Sequence, residues 1–336
     1  MRIGDVDLRA TVLVVAEIGN NHEGNFSVAA ELVRQAAASG AGAVKVQTFR
    51  PRYLVSAAET DRFERLSRFA LSHAQFADLA GLATSLGLLF LATPLDLESA
   101  AFLEDHVHAY KIASGDNNFY PLMERLAATG KPVILSSGLA DLAQIRQSAR
   151  FLTDQWARRG IGPGLAVLHC VSSYPAPDAE ANLAAIPLLS RELGCLIGYS
   201  DHTLGTEACV AAVALGARII EKHFTLDTHY SDFRDHQLSA DPVEMKRLVD
   251  QVRRVSAMLG KAEKAVQPSE AAGAYFSRRS IVASADLKRD HRLERQDFTW
   301  IRPGGGLPPG DEHRLLGKTL NRDVMFGEAI LPRDVE

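Results

Sequence analysis

Apolar residues in this chain gather in short runs of four or five, and most runs are followed by a longer stretch whose apolar positions recur three and four apart. The short runs read as strands buried on both faces, and the longer stretches as amphipathic helices. Eight strand-like runs occur, at 12–16, 43–46, 88–92, 110–113, 132–135, 165–168, 195–199 and 218–221. Helical spacing lies between and after them, for instance at 26–39, 75–85, 141–156, 207–215 and 243–259, several of these segments closed by a glycine. Eight β-then-α units over residues 1–260 predict an α/β fold, a TIM (β/α)8 barrel. The competing arrangement is a doubly wound open sheet. That fold calls for a glycine-rich fingerprint after the first strand, and Gly19-Asn20-Asn21-His22-Glu23-Gly24 lacks the spacing.

A barrel predicts that reactive side chains collect where its strands end. Glu17, Lys45, Thr93, Lys111 with Ser114, Ser136 with Ser137, His169, Ser200 with His202, and His223 fall there, strand after strand. Taken singly, a serine after a strand is often a helix cap and a lysine a solvated tip. Eight strands in phase argue for one site. His202 and His223 follow consecutive strands at equivalent places, so a parallel βαβ unit would open both onto one face, close enough to share a divalent metal.

Past residue 260 the pattern changes. Residues 261–276 are polar and rich in small side chains and read as a linker, and residues 277–336 read as short strands broken by turns. The net charge of -4 provides no general basic field, which argues against nucleic acid and anionic membrane as partners and requires any phosphate site to be local. No N-terminal stretch reads as a signal peptide or membrane span, and three cysteines in apolar surroundings suit reduced thiols, so the expected location is cytoplasmic.

Six motifs resemble the N-acetylneuraminate (sialic acid) synthase family. They are Ala16-Glu17-Ile18-Gly19-Asn20-Asn21-His22, Lys111-Ile112-Ala113-Ser114-Gly115, Leu168-His169-Cys170, Gly198-Tyr199-Ser200-Asp201-His202, Glu221-Lys222-His223-Phe224 and Ile301-Arg302-Pro303-Gly304. The resemblance spans nearly the whole chain and implies a barrel joined to an antifreeze-like (SAF) domain. It implies condensation of phosphoenolpyruvate with an N-acylated amino sugar to a nonulosonic acid and phosphate. Lys45, Lys111, Ser114, Ser136 and Ser200 match the family's phosphoenolpyruvate positions, and cations with hydroxyl donors suit a substrate carrying a phosphate and a carboxylate. His202 and His223 match the metal ligands, with Mn2+ the first expectation and Mg2+ or Co2+ the alternatives. Glu17 matches the catalytic glutamate. Gln47, Tyr174 and Asp235 correspond to sugar contacts, and Arg302 to an arginine that meets the sugar in the partner's barrel, which implies a domain-swapped homodimer.

Two departures bear on the acceptor. Ser231-Asp232-Phe233-Arg234 stands where the family usually has Pro-Gly-Pro-Asp, and Asp116 stands where glutamate is common. Both widen the acceptor set from N-acetylmannosamine to amino sugars such as 2,4-diacetamido hexoses. The other functions compatible with the histidines are a metal-dependent barrel aldolase or hydrolase and a noncatalytic sugar-binding protein of polysaccharide biosynthesis. Neither explains several phosphate-type donors at strand ends.

Overall fold

A short hairpin, β1 (Arg2–Ile3) and β2 (Val6–Asp7), opens the chain, and all eight apolar runs then form parallel strands in the computed structural model, which describes residues 1–336. These are β3 (Leu13–Gly19), β4 (Ala43–Thr48), β5 (Leu89–Pro94), β6 (Ala109–Ile112), β7 (Val133–Ser136), β8 (Leu165–Cys170), β9 (Leu196–Asp201) and β10 (Ile219–His223). Pairing of β10 with both β9 and β3 closes the barrel and excludes the open sheet. Helices begin where short polar side chains satisfy their free N–H groups. Asn25, Ser72, Asp141 and Asp241 each accept such a bond, and Gly160 ends the helix Leu142–Arg159 at a φ of 67°.

The period of two along each strand divides the barrel into an inside and an outside. Outward residues such as Val14, Ala16, Val44 and Ile112 pack with the helices in the main core. Inward residues form a second cluster in the N-terminal half, where Leu13, Val15, Leu91, Ile134, Leu168 and Ile219 meet Ile3 and Leu8 of the hairpin segment. Further along the same inward-facing columns the side chains turn polar: Glu17 follows Val15, Lys45 follows Ala43, Ser136 follows Ile134, and Glu221 with His223 follows Ile219. The apolar half thus plugs the barrel, and the polar half lies at the strand C-termini. No helix is long and apolar enough to cross a membrane.

Two compact units divide the chain, Met1–Gly260 and Lys261–Glu336. In the second, β11 (Ser280–Ala283) pairs antiparallel with β12 (Phe298–Ile301) over a small core that includes Ile281, Leu293, Leu315 and Val324. Within the stretch read as a linker, residues Pro268–Ser277 form a helix. Pro268 in its first turn and a Gln267/Glu270 capping box supply the start, and an alanine-rich sequence propagates it. A composition of small residues is compatible with either state, and the cap decides.

One buried ion pair lies outside the barrel interior. Lys222 faces outward on β10, with Nζ 2.8 Å from Asp201 Oδ2 and donating to the Thr203 carbonyl at 2.6 Å. Asp201 also accepts from Tyr199 Oη, Thr203 N and Thr203 Oγ1, so it ties β9, the following loop and β10 together. Removing the ammonium leaves an uncompensated buried carboxylate, so Lys222→Ala should destabilise the barrel by roughly 3–5 kcal/mol. A denaturant midpoint equal to wild type would show that the pair holds nothing together.

Candidate active site

Four ionisable side chains converge inside the barrel. Lys45 Nζ lies 3.3 Å from Glu17 Oε2 and 3.1 Å from Glu221 Oε1, and Lys111 Nζ lies 3.6 Å from the same Glu221 oxygen. Ser200 Oγ donates to Glu221 Oε1 at 2.8 Å, and Lys111 donates to Ser136 Oγ at 2.5 Å. All of these residues are buried. Register explains the meeting, because His223 is paired opposite Glu17, Glu17 opposite Lys45, and Glu221 opposite Ser200.

The two glutamates are electrostatically unlike. Burial, reinforced by the Glu221 charge and opposed by Lys45, pushes Glu17 up to about 7. Burial also acts against ionised Glu221, but the lysines Lys111 and Lys45 overcome it and hold that carboxyl at about 2. Glu221 is therefore the standing negative charge of the site, and Glu17 is poised to take or give a proton near neutrality. Gln47 donates to Glu17 Oε1 at 3.2 Å and accepts from Asn20 at 3.2 Å, so it orients Glu17.

His202 and His223 come together at the mouth, with ring centroids 5.3 Å apart. His202 Nδ1 lies 2.7 Å from the Val171 carbonyl. A carbonyl only accepts, so Nδ1 carries a proton, and Nε2 is the nitrogen that remains for a metal. Burial foremost, then the neighbouring His202, keeps the His223 pKa well below the ordinary histidine value, so its imidazole stays neutral. Its Nδ1 is buried without a hydrogen-bond partner. Two imidazoles side by side, one with a buried Nδ1 that has no partner, are donors of the type a divalent ion takes, and these residues fit one.

Ser114 begins the turn after β6, and bare backbone fills the space opposite it. A Cβ added to Gly138 would run into the hydroxyls of both Ser114 and Ser172. Asn117 fixes that backbone by donating to the Gly138 carbonyl at 2.8 Å. Ser172 Oγ is buried and unpartnered. The result is a hydroxyl-lined cradle of the sort that accepts phosphate oxygens.

Toward solvent, the Tyr174 ring lies 4.0 Å from His202 and carries the Arg234 guanidinium 4.7 Å above it. Arg234 Nε lies 3.3 Å from Asp235 Oδ1. The 231–234 departure is anchored rather than loose: Ser231 donates to Glu23, His236 bonds Glu23 and Thr225, and Phe233 packs edge-on against Phe69 at 5.3 Å. A cavity lined by Phe69, Phe233, Arg234, Arg62, Arg65 and Glu23 borders this segment. Arg302 is exposed on the loop after β12 in the second unit, where Ser280 Oγ holds the Pro303 carbonyl at 2.8 Å and accepts from Gly306 N at 3.0 Å.

One strand-end residue points away. His169 lies between the inward-facing Leu168 and Cys170, and its Nε2 meets the Ala181 carbonyl at 2.8 Å outside the barrel. Sequence reasoning overlooked Glu221, Ser172 and Gly138 as site residues. Parity alone could have found Glu221, two residues before His223 on one strand and therefore on the same face. Ser172 and Gly138 lie on loops, which carry no periodicity.

Residues 32–264 match the NeuB family and residues 278–336 the SAF domain. An uncharacterized protein of Methanocaldococcus jannaschii is 41% identical over 96% of this chain and 94% of its own length. The N,N'-diacetyllegionaminic acid synthase of Legionella pneumophila is 35% identical over 97% of this chain and 95% of its own. Among solved structures, the N-acetylneuraminic acid (sialic acid) synthetase of Leptospira borgpetersenii superposes with a TM-score of 0.76 at 32% identity, covering 81% of this chain and 94% of the other. With a closed eight-stranded barrel, a C-terminal SAF domain and these relatives across its length, the chain belongs to the NeuB family.

Proposed function

We propose that this chain is a nonulosonic acid synthase that joins phosphoenolpyruvate to an N-acylated amino sugar aldehyde, either N-acetylmannosamine or a 2,4-diacetamido hexose. The products are a nine-carbon 2-keto-3-deoxy acid and inorganic phosphate. The observation that carries the reading is the convergence of two buried lysines and a set of hydroxyls beside two histidines at one end of the barrel. The synthases of legionaminic and sialic acids among its relatives support it.

In this reading Lys45, Lys111, Ser136 and Ser200 bind the phosphate and carboxylate of phosphoenolpyruvate, with Ser114 and the Gly138 backbone closing the cradle. His202 and His223 would hold a divalent ion, Mn2+ first among the candidates, which when bound supplies a Lewis acid for the sugar carbonyl. Tyr174 and Asp235 orient the acceptor. Carbon 3 of phosphoenolpyruvate forms the new bond to the aldehyde carbon, water adds at carbon 2, and the carbon–oxygen bond to phosphate breaks. Glu17, with a pKa near neutrality, takes the proton of that water while Gln47 holds its other oxygen. The three free cysteines accord with a cytoplasmic setting.

The direct test is phosphate release from phosphoenolpyruvate with a panel of N-acylated hexosamines and Mn2+. Exhaustive chelation should abolish turnover and added Mn2+ should restore it. Full activity without metal, or no release with any acylated sugar, rejects the reading.

Lys111→Ala should raise the KM for phosphoenolpyruvate at least tenfold, at ~1.4 kcal/mol per decade, and leave that for the sugar nearly unchanged. Equal changes in both constants would place Lys111 outside the phosphate pocket.

Arg302 is proposed to serve the barrel of a partner in a homodimer with exchanged C-terminal domains. Its module is small, and Pro303 followed by three glycines gives a loop suited to carrying a side chain into a cleft. Arg302→Ala and His202→Ala homodimers should each be nearly inactive, whereas mixed dimers should regain activity, because one barrel then has both intact histidines and an intact arginine from its partner. Confirmed heterodimers without rescue would reject the exchange.

A further inference from the structure

The proposed phosphate pocket already contains an anion. A single oxygen, Glu221 Oε1, gathers Lys45 Nζ at 3.1 Å, Lys111 Nζ at 3.6 Å and Ser200 Oγ at 2.8 Å. Three of the five groups assigned to phosphoenolpyruvate thus converge on one protein carboxylate. The side chain is almost fully buried, faces into the barrel, and has no part in the bond-forming steps described above. The inward position two residues earlier on the same strand, Ile219, is apolar.

Two physical consequences follow. Two ammonium groups held this close repel each other, and a shared counter-ion keeps both turned inward. Each ammonium carries three N–H donors, so contact with Glu221 leaves donors for a substrate. The same charge lies within a few ångströms of wherever a phosphate bound by these lysines must sit, and it repels that phosphate. A pocket of two lysines and several hydroxyls without such a charge would retain the phosphate that the reaction produces.

We propose that Glu221 is a resident counter-anion of this pocket: it holds Lys45, Lys111 and Ser200 converged and weakens the grip on inorganic phosphate enough for product to leave. It is a positioning residue, acting on the substrate through the two lysines and the serine. The inference rests on the phosphoenolpyruvate reading above.

Inorganic phosphate is the probe, measured by calorimetric titration of the full-length protein and as a competitive inhibitor against phosphoenolpyruvate. Glu221→Gln keeps the oxygen and the size of the side chain and loses the charge. It should bind phosphate more tightly than wild type by roughly ten- to a hundredfold, the scale of one like charge nearby at intermediate dielectric, while kcat falls. Glu221→Asp keeps the charge and withdraws the oxygen. It should lose kcat without any gain in phosphate affinity. A merely structural glutamate would weaken phosphate binding in both variants. If Glu221→Gln binds phosphate no more tightly than wild type, the counter-anion role is wrong. Should Glu221→Gln fail to fold, the aspartate variant decides, since tighter phosphate binding by it would overturn the proposal. Failure of wild type to bind phosphate at all, or binding without competition against phosphoenolpyruvate, would instead reject the pocket assignment on which the inference stands.

Discussion

The interior ion cluster of Glu17, Lys45, Glu221 and Lys111 is the constraint on which the rest of the barrel depends. Each of these charges costs several kcal/mol to take out of water, and only close pairing offsets the cost. Pairing at 3.1–3.6 Å across four strands demands one register and one closure of the sheet. A slip of one residue in β4 or β10 would turn Lys45 or Glu221 out toward the helices and leave its partners buried alone. The apolar plug below the cluster has no such demand, because Leu, Val and Ile repack with modest loss.

The same cluster prepares the chemistry. Its positive members stand where a substrate with phosphate and carboxylate groups would be recognised, and its negative members divide their labour by environment. Glu221, in contact with both lysines, remains ionised, while burial, reinforced by the Glu221 charge and only partly opposed by Lys45, pushes Glu17 up to about 7. Two carboxyls pushed apart in this way are a recurrent sign of distinct roles in one site. The histidines complete the arrangement from the next layer outward, His202 held at Nδ1 by the Val171 carbonyl and His223 kept neutral by burial.

The mouth of the barrel is built from different material. Tyr174 lies on the loop after β8, and Arg234 and Asp235 open a short helix, Arg234–Leu238, in the connection after β10, stacked and paired with one another rather than held in the strand ladder. Loops can change sequence without disturbing the register that the ion cluster enforces, and a family with one reaction and several acceptors would be expected to vary there. The 231–234 segment fits that division, since its anchors Glu23, His236 and Phe69 all lie on the barrel unit.

The eight strands, the inward parity of Lys45, Lys111 and His223, and the position of each at a strand end were all legible from the order of residues, because a buried parallel strand writes itself as an apolar run and side chains alternate with a fixed period. Helix starts were legible for the same local reason, in the caps that precede them. Other features required the fold. His169 occupies a strand end like the rest, yet parity turns it outward, and only the packed barrel shows the Ala181 carbonyl it meets. The bonds of Gln47 to Asn20 and Glu17 on either side of it appear only in the folded barrel. Glu221 was in view as part of a motif, but its role comes from lysines 176 and 110 residues away (221 − 45 and 221 − 111), brought to one oxygen by closure of the sheet. Sequence fixes what lies within a few residues along the chain, whereas electrostatic coupling depends on distance in space, and that distance exists only once the barrel has closed.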